Sequence, residues 1–248
     1  MPLRRISAAE RRARLAVRHL LSPANRTDDV VAITDSLVAL HSSDPVTVYL
    51  AATARMRHPS LDAVASALYE ERSLLRHHAM RRTLWVLGHE TARRAHHAVT
   101  VTLLNRQRRM LEDAVAASAI PGDPARWIES ATEAVTEVLT EKGPLTAREI
   151  GQLLPDLTVP VPIGSGKFAT TQPAHSRLLL VLGFAGRVLR ARPTGSWINS
   201  QYRWAAAATW FPEGFGDLDR RSAAADLARH WLRSFGPATR ADLQWWTG

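Results

Sequence analysis

The run Leu40-His41-Ser42-Ser43-Asp44-Pro45 gathers an imidazole, two hydroxyls and a carboxylate within six residues. A histidine in such a cluster can orient or deprotonate water, and a carboxylate can stabilise developing positive charge. His41, Ser43 and Asp44 are therefore the candidate catalytic residues. Each also has an ordinary structural reading. Asp44 before Pro45 reads as a helix N-cap, His41 as a last-turn residue favoured by the helix dipole, and Ser42 and Ser43 as turn formers. The doublets His77-His78 and His96-His97 contain metal-ligating side chains. Adjacent residues point apart and no carboxylate spacing completes a site, so no metal is expected. Neither a Gly-rich phosphate loop nor a metalloprotease motif nor a nucleophile elbow is found in the sequence, and no cofactor is expected.

The elements that must position these residues are mostly helical. Ser7-Ala8-Ala9-Glu10 reads as a capping box opening a helix to about Leu21, ended by Ser22-Pro23. Val30, Ile33, Leu37 and Leu40 recur at helical spacing and predict a second helix reaching His41. Asp44-Pro45 starts another through about Arg57, and Ser60 caps a fourth toward Ser73. Between Leu75 and Leu87 the character changes: Arg76, His77, His78, Arg81 and Arg82 bracket a turn before the strand-forming Thr83-Leu84-Trp85-Val86-Leu87. Helices followed by a basic hairpin are the order of a winged helix. Long helices are expected from about Glu90 to Ala117 and from Pro124 to Lys142.

An internal repeat organises the rest. Gly143-Pro144-Leu145-Thr146-Ala147-Arg148-Glu149-Ile150 returns as Gly236-Pro237-Ala238-Thr239-Arg240-Ala241-Asp242-Leu243. In each copy Gly-Pro stops a Trp-bearing helix, Thr caps the next and an acid stands at N3, the turn chemistry of a helix-turn-helix corner. A Pro/Gly loop (155–172), a helix from Pro173 to about Leu182, and hairpin strands Arg187 to Arg192 and Trp197 to Trp204 follow the first copy. The expected fold class is mostly α with small β-hairpins, built of tandem winged helix-turn-helix modules at 1–110, 111–210 and 211–248. The last is expected to be truncated after Trp245-Trp246-Thr247-Gly248.

With 248 residues and 46% apolar side chains, the chain can fill a substantial core, which excludes the disordered classes. It has no cysteine, which fits a reducing compartment, and no apolar run near the roughly 20 residues of a membrane span. No signal segment is recognised, so a cytoplasmic protein without membrane contact is expected. Arg and Lys total 32 against 23 acids, and of the basic residues only Lys142 and Lys167 are lysines. The excess is segregated. Residues 1–110 hold 18 basic and 9 acidic groups, residues 112–156 hold 3 and 9, and residues 157–210 hold 6 and none. A bias toward Arg codons alone would not empty a long stretch of acids, so a polyanion-binding surface is favoured. Arg76, Arg81 and Arg82 in the first hairpin, Lys167, Gln172, His175 and Arg177 at the 173–182 helix, and Arg187, Arg190 and Arg192 in the second hairpin are the expected contacts to double-stranded DNA. A non-enzymatic regulator, or a scaffold docking proteins on the acidic 112–156 stretch, is the alternative.

Three segments carry a family resemblance: Leu40-His41-Ser42-Ser43-Asp44-Pro45 with Tyr49-Leu50-Ala51-Ala52 and Ala54-Arg55, Met80-Arg81-Arg82-Thr83-Leu84-Trp85-Val86, and Gly236-Pro237-Ala238-Thr239 with Asp242-Leu243 and Trp245-Trp246-Thr247-Gly248. They resemble the bacterial tandem winged-helix proteins that include alkylpurine and interstrand-crosslink DNA glycosylases. The resemblance implies three winged helices followed by a C-terminal β-barrel, of which the last recognition helix, wing and barrel lie outside this sequence. It implies hydrolytic excision of a bulky alkylated purine. Its glycosylases carry glutamine, any residue, then glutamine or aspartate at the helix junction to position water at the sugar. Here those two positions hold His41 and Ser43. Histidine can still hold a water, whereas serine matches neither the reach of an amide nor the charge of a carboxylate, so the chemistry is altered or lost.

Overall fold

The computed structural model describes residues 5–164, 166 and 169–248. Lys167 lies outside them. The chain forms two compact units, one of residues 1–98 with 217–248 and one of residues 99–216. These differ from the expected division at 110 and 210. Among the described residues, helices predominate, sheets are small and antiparallel, and no helix is long and apolar enough to cross a membrane.

The first unit opens with α1 (Ala8–Arg18), whose N-terminal amide at Glu10 is capped by Ser7. The second helix, α2 (Val30–Ser36), is shorter than expected. Val38 takes φ 66°, a left-handed conformation that a β-branched residue rarely adopts. The chain then extends into β1 (Leu40–His41), so His41 is a strand residue and not the last turn of a helix. Leu40 satisfies its helical spacing but is buried by pairing with Val86 of a strand. Helices α3 (Pro45–Thr53) and α4 (Leu61–Tyr69) start where Asp44 and Ser60 cap them. The hairpin β2 (Leu74–His78) and β3 (Leu84–Gly88) completes a sheet of order β1-β3-β2. The expected long helix from Glu90 is interrupted: α5 (His89–Ala95) gives way to a π-helical stretch at His96–Thr100.

In the second unit α6 (Val101–Ala116), α7 (Pro124–Lys142) and α8 (Ala147–Leu153) surround α9 (Ala174–Phe184). Leu111, Ile128, Val135, Leu139, Ile150, Leu178 and Leu182 form its core. The expected Pro-rich loop is in part a ribbon of β4 (Pro160–Ile163) and β5 (Thr170–Pro173). Pro160 and Pro173 oppose each other, positions in a two-stranded ribbon where a missing N–H is tolerated. The second hairpin, β6 (Val188–Pro193) and β7 (Tyr202–Ala206), buries Val188 and Trp204 in the core, and Leu145 exchanges both backbone hydrogen bonds with Trp204. A short α10 (Ala207–Trp210) ends the unit.

The last two helices, α11 (Arg220–Phe235) and α12 (Arg240–Thr247), belong to the first unit. His230 Nε2 lies 2.8 Å from the Asp35 carbonyl and His19 Nε2 lies 3.1 Å from that of Ser234. Trp246 is buried between Trp85 and Trp231, at ring separations of 5.9 and 6.1 Å. Both copies of the repeat form the expected capping box, Thr146 with Glu149 and Thr239 with Asp242.

On one face of the sheet His77 is buried, with Nε2 3.0 Å from His96 Nδ1. Burial first, and the His96 ring second, hold His77 well below the ordinary histidine range, and burial with the His97 ring holds His96 at about 4. The unfolded chain therefore binds protons between pH 6.5 and 4 that the folded unit refuses, and stability present above pH 6.5 is lost on acidification. For a single group the slope is at most about 1.4 kcal/mol per pH unit. Urea midpoints of the first unit should fall steadily from pH 6.5 to 4, and His96→Gln should flatten that decline.

Candidate active site

β1 brings His41 to the edge of the sheet opposite Trp85, and the two rings meet edge to face at 5.1 Å. Strand alternation then directs Ser42 to the buried side and returns Ser43 to the side of His41. Ser43 Oγ is 3.2 Å from His41 Nε2, and both residues are exposed. Partial burial, and next the Arg81 cation, lower the His41 pKa. The ring is therefore neutral at pH 7 and presents one acceptor nitrogen.

Thr47 fixes the backbone of this turn by directing its hydroxyl to the carbonyls of Asp44 (2.8 Å) and His41 (3.0 Å). Asp44 Oδ1 accepts from the Val46 amide at 3.0 Å, with Pro45 at the first helical position. The candidate carboxylate thus serves as the expected N-cap while Asp44 stays exposed. Arg81 and Arg82 form the tip between β2 and β3 with φ of 55° and 61°. The Arg81 guanidinium stacks on Trp245, 4.6 Å from the ring centroid, and Trp245 is 69% exposed.

Arg76 corrects an expectation. It is 2% exposed and lies beneath the sheet, where Nε donates to Ser42 Oγ at 2.9 Å and Nη1 to the Tyr69 hydroxyl. It cannot meet a phosphate from there. The sequence put it beside the turn of a basic hairpin, and its position on the inward face of β2 follows only from the register. His175 is likewise buried: Nε2 lies 2.9 Å from the Ala147 carbonyl and Nδ1 3.2 Å from that of Leu157, so the ring ties α9 to α8 and is not offered to a groove.

In the second unit Arg187 and Arg192 are exposed and Gln172 is half-buried in β5. Arg190 stacks on Trp204 at 3.5 Å, which covers one guanidinium face. Arg177 is half-buried in a cleft of about 280 Å³ lined by Met110, Asp113, Pro162 and Ile163, and burial lowers its pKa. Among the described residues no group of three or more His, Asp or Glu side chains is arranged to hold a metal. Trp85 and Trp245 were not among the expected site residues. The signal for Trp85 was its place in a strand beside the basic turn.

A family of proteins described as DNA glycosylase AlkZ-like matches residues 34–248. The chain belongs to the AlkZ-like DNA glycosylase family. The matched span of this AlkZ-like chain begins within α2 and contains every candidate residue described above. The solved structure of Streptomyces sahachiroi DNA glycosylase AlkZ is similar, with a TM-score of 0.70 at 19% identity. The match covers 99% of this chain and 62% of the other, so the AlkZ-like chain spans less than two thirds of that protein. At that identity the likeness is one of fold. No curated protein matches the sequence.

Because the Asp44 carboxylate caps α3, its amide should serve the fold nearly as well. Urea denaturation should show Asp44→Asn within a few tenths of a kcal/mol of the parent and Asp44→Ala about 1 kcal/mol less stable.

Proposed function

We propose that this chain binds double-stranded DNA through winged-helix modules and hydrolyses the N-glycosidic bond of a bulky, cationic alkylated purine. The observation that carries this reading is the exposed His41–Ser43 pair, 3.2 Å apart, with the exposed Asp44 next in the chain. A purine alkylated at N7 already bears positive charge. As the bond from C1′ to N9 breaks, the electron pair passes to the base and neutralises it, leaving an oxocarbenium-like sugar. Water held by Ser43 and His41 attacks C1′, and His41 Nε2 takes its proton. The negative charge of Asp44 opposes the positive charge developing on the sugar. The leaving group carries much of the activation, so this modest apparatus is sufficient.

Arg81 and Arg82 in the first unit, and Arg187 and Arg192 in the second, are the proposed phosphate contacts. Arg177, Arg190 and Gln172, half-buried, are proposed as further DNA contacts of the second module, and Lys167 stays a sequence-based candidate. A second reading, recognition of DNA without chemistry, is favoured by one observation: the carboxylate of Asp44 is engaged at the Val46 amide and a serine stands at the second motif position.

Release of free 7-methylguanine from methylated duplex separates the two readings. The glycosylase reading expects release above the spontaneous rate, lowered about 100-fold by His41→Ala, within the usual range for a general base. Release at the spontaneous rate by the parent protein would leave recognition alone. Since only the neutral imidazole accepts a proton, the rate should be level from pH 7 to 8 and fall as pH drops, with its midpoint below 6.5. DNA affinity should weaken with salt, and the paired change Arg187→Ala with Arg192→Ala should lower the slope of log K against log salt by about 2.

A further inference from the structure

We propose that Arg76 is the positioning residue of the His41–Ser43 pair and acts through Ser42, a role that rests on the glycosylase reading of that pair. His41 is the last residue of β1 in register with β3, and the Ser42 amide makes the next hydrogen bond, 2.8 Å to the Leu84 carbonyl. Beyond it the chain turns into the cap of α3. The direction in which His41 and Ser43 leave the sheet is therefore set by how the residue between them is held. Ser42 is fully buried, and its hydroxyl accepts from Arg76 Nε at 2.9 Å.

Arg76 stands in β2, on the far side of β3. Neighbouring strands lie about 4.8 Å apart, so its side chain must cross the width of one strand and reach beneath the next, which requires a long side chain. The planar guanidinium is aimed by a second partner, the Tyr69 hydroxyl at the end of α4, and lies 5.4 Å from the centre of that ring. Burial holds the Tyr69 pKa up at about 12, so the phenol stays neutral. Filling this space would need only an apolar residue, and a buried charge is expensive. What the arginine adds is a rigid fork with one tine on Tyr69 and the other on Ser42. Displacement of a reacting group by about 1 Å can cost on the order of 100-fold in rate, so a device that fixes Ser42 bears directly on the pair.

The test compares Arg76→Lys and Ser42→Ala with the parent, using variants whose urea midpoints confirm folding. Two readouts are followed: the NMR titration of the His41 ring in the free protein, and steady-state release of 7-methylguanine from duplex. The positioning role predicts that both variants raise the His41 titration midpoint toward 6.5 and lower kcat 10- to 100-fold, with KM within twofold. Ser42→Ala, which removes one oxygen and leaves the buried arginine in place, keeps the test valid if Arg76→Lys does not fold. An unchanged His41 titration and kcat in folded Ser42→Ala would overturn the proposal. If the parent releases no base, the glycosylase reading falls by itself, and the His41 titration alone decides whether Arg76 holds the pair.

Discussion

Antiparallel pairing of β3 with both β1 and β2 places His41, Trp85 and His77 in one cross-strand row and Leu40, Val86 and Arg76 in the next. Side chains alternate along a strand, so the two rows face opposite sides of the sheet. One face carries the imidazole at the exposed edge, with a tryptophan behind it and a buried histidine pair beyond. The other carries the guanidinium that reaches under β3 to Ser42. A slip of one residue in the β1 pairing would turn His41 to the buried side, and one in the β2 pairing would carry Arg76 to the face of His77, away from Ser42. The register therefore fixes at once which side chain is exposed at the edge of the sheet and which lies beneath it.

The aromatic contacts extend this frame through the first unit. Trp85 touches Trp246, Trp246 touches Trp231, Trp231 stacks on Phe235 at 5.6 Å, and Phe235 meets His19 at 4.6 Å. Residues far apart in sequence, from the C-cap of α1, the sheet, α11 and α12, are joined by one run of rings. Such rings bury large areas and carry a specific edge or stacking geometry, which makes them effective at fixing how helices sit against a sheet. The charge segregation read along the chain divides in the same local way. Arg81, Arg187 and Arg192 stand at hairpins, while Glu129, Glu133, Glu137 and Glu141 recur every fourth residue on the exposed face of α7.

Features set by local chemistry were legible in the sequence. Asp44, Ser60, Thr146 and Thr239 cap helices as their types and following residues predict, and α7 runs between the expected ends because Pro and Gly bound it. The family was legible from short ordered segments. What could not be read were features decided by distant partners. Leu40 fits a helical stripe and a strand equally well until Val86 pairs with it. Arg76 and His175 look like surface groups until Tyr69, Ser42 and the carbonyls of Ala147 and Leu157 are brought around them. The β4–β5 ribbon was hidden because proline usually argues against a strand, and only the edge geometry of a two-stranded ribbon removes that objection.

The central claim is that His41 and Ser43 act on water as one unit. A double-mutant cycle on single-turnover release of 7-methylguanine from duplex, with His41→Ala, Ser43→Ala and the double variant, tests this directly. Shared action predicts that the double variant is no slower than His41→Ala alone. Losses that multiply, or singles that release base as fast as the parent, would contradict it.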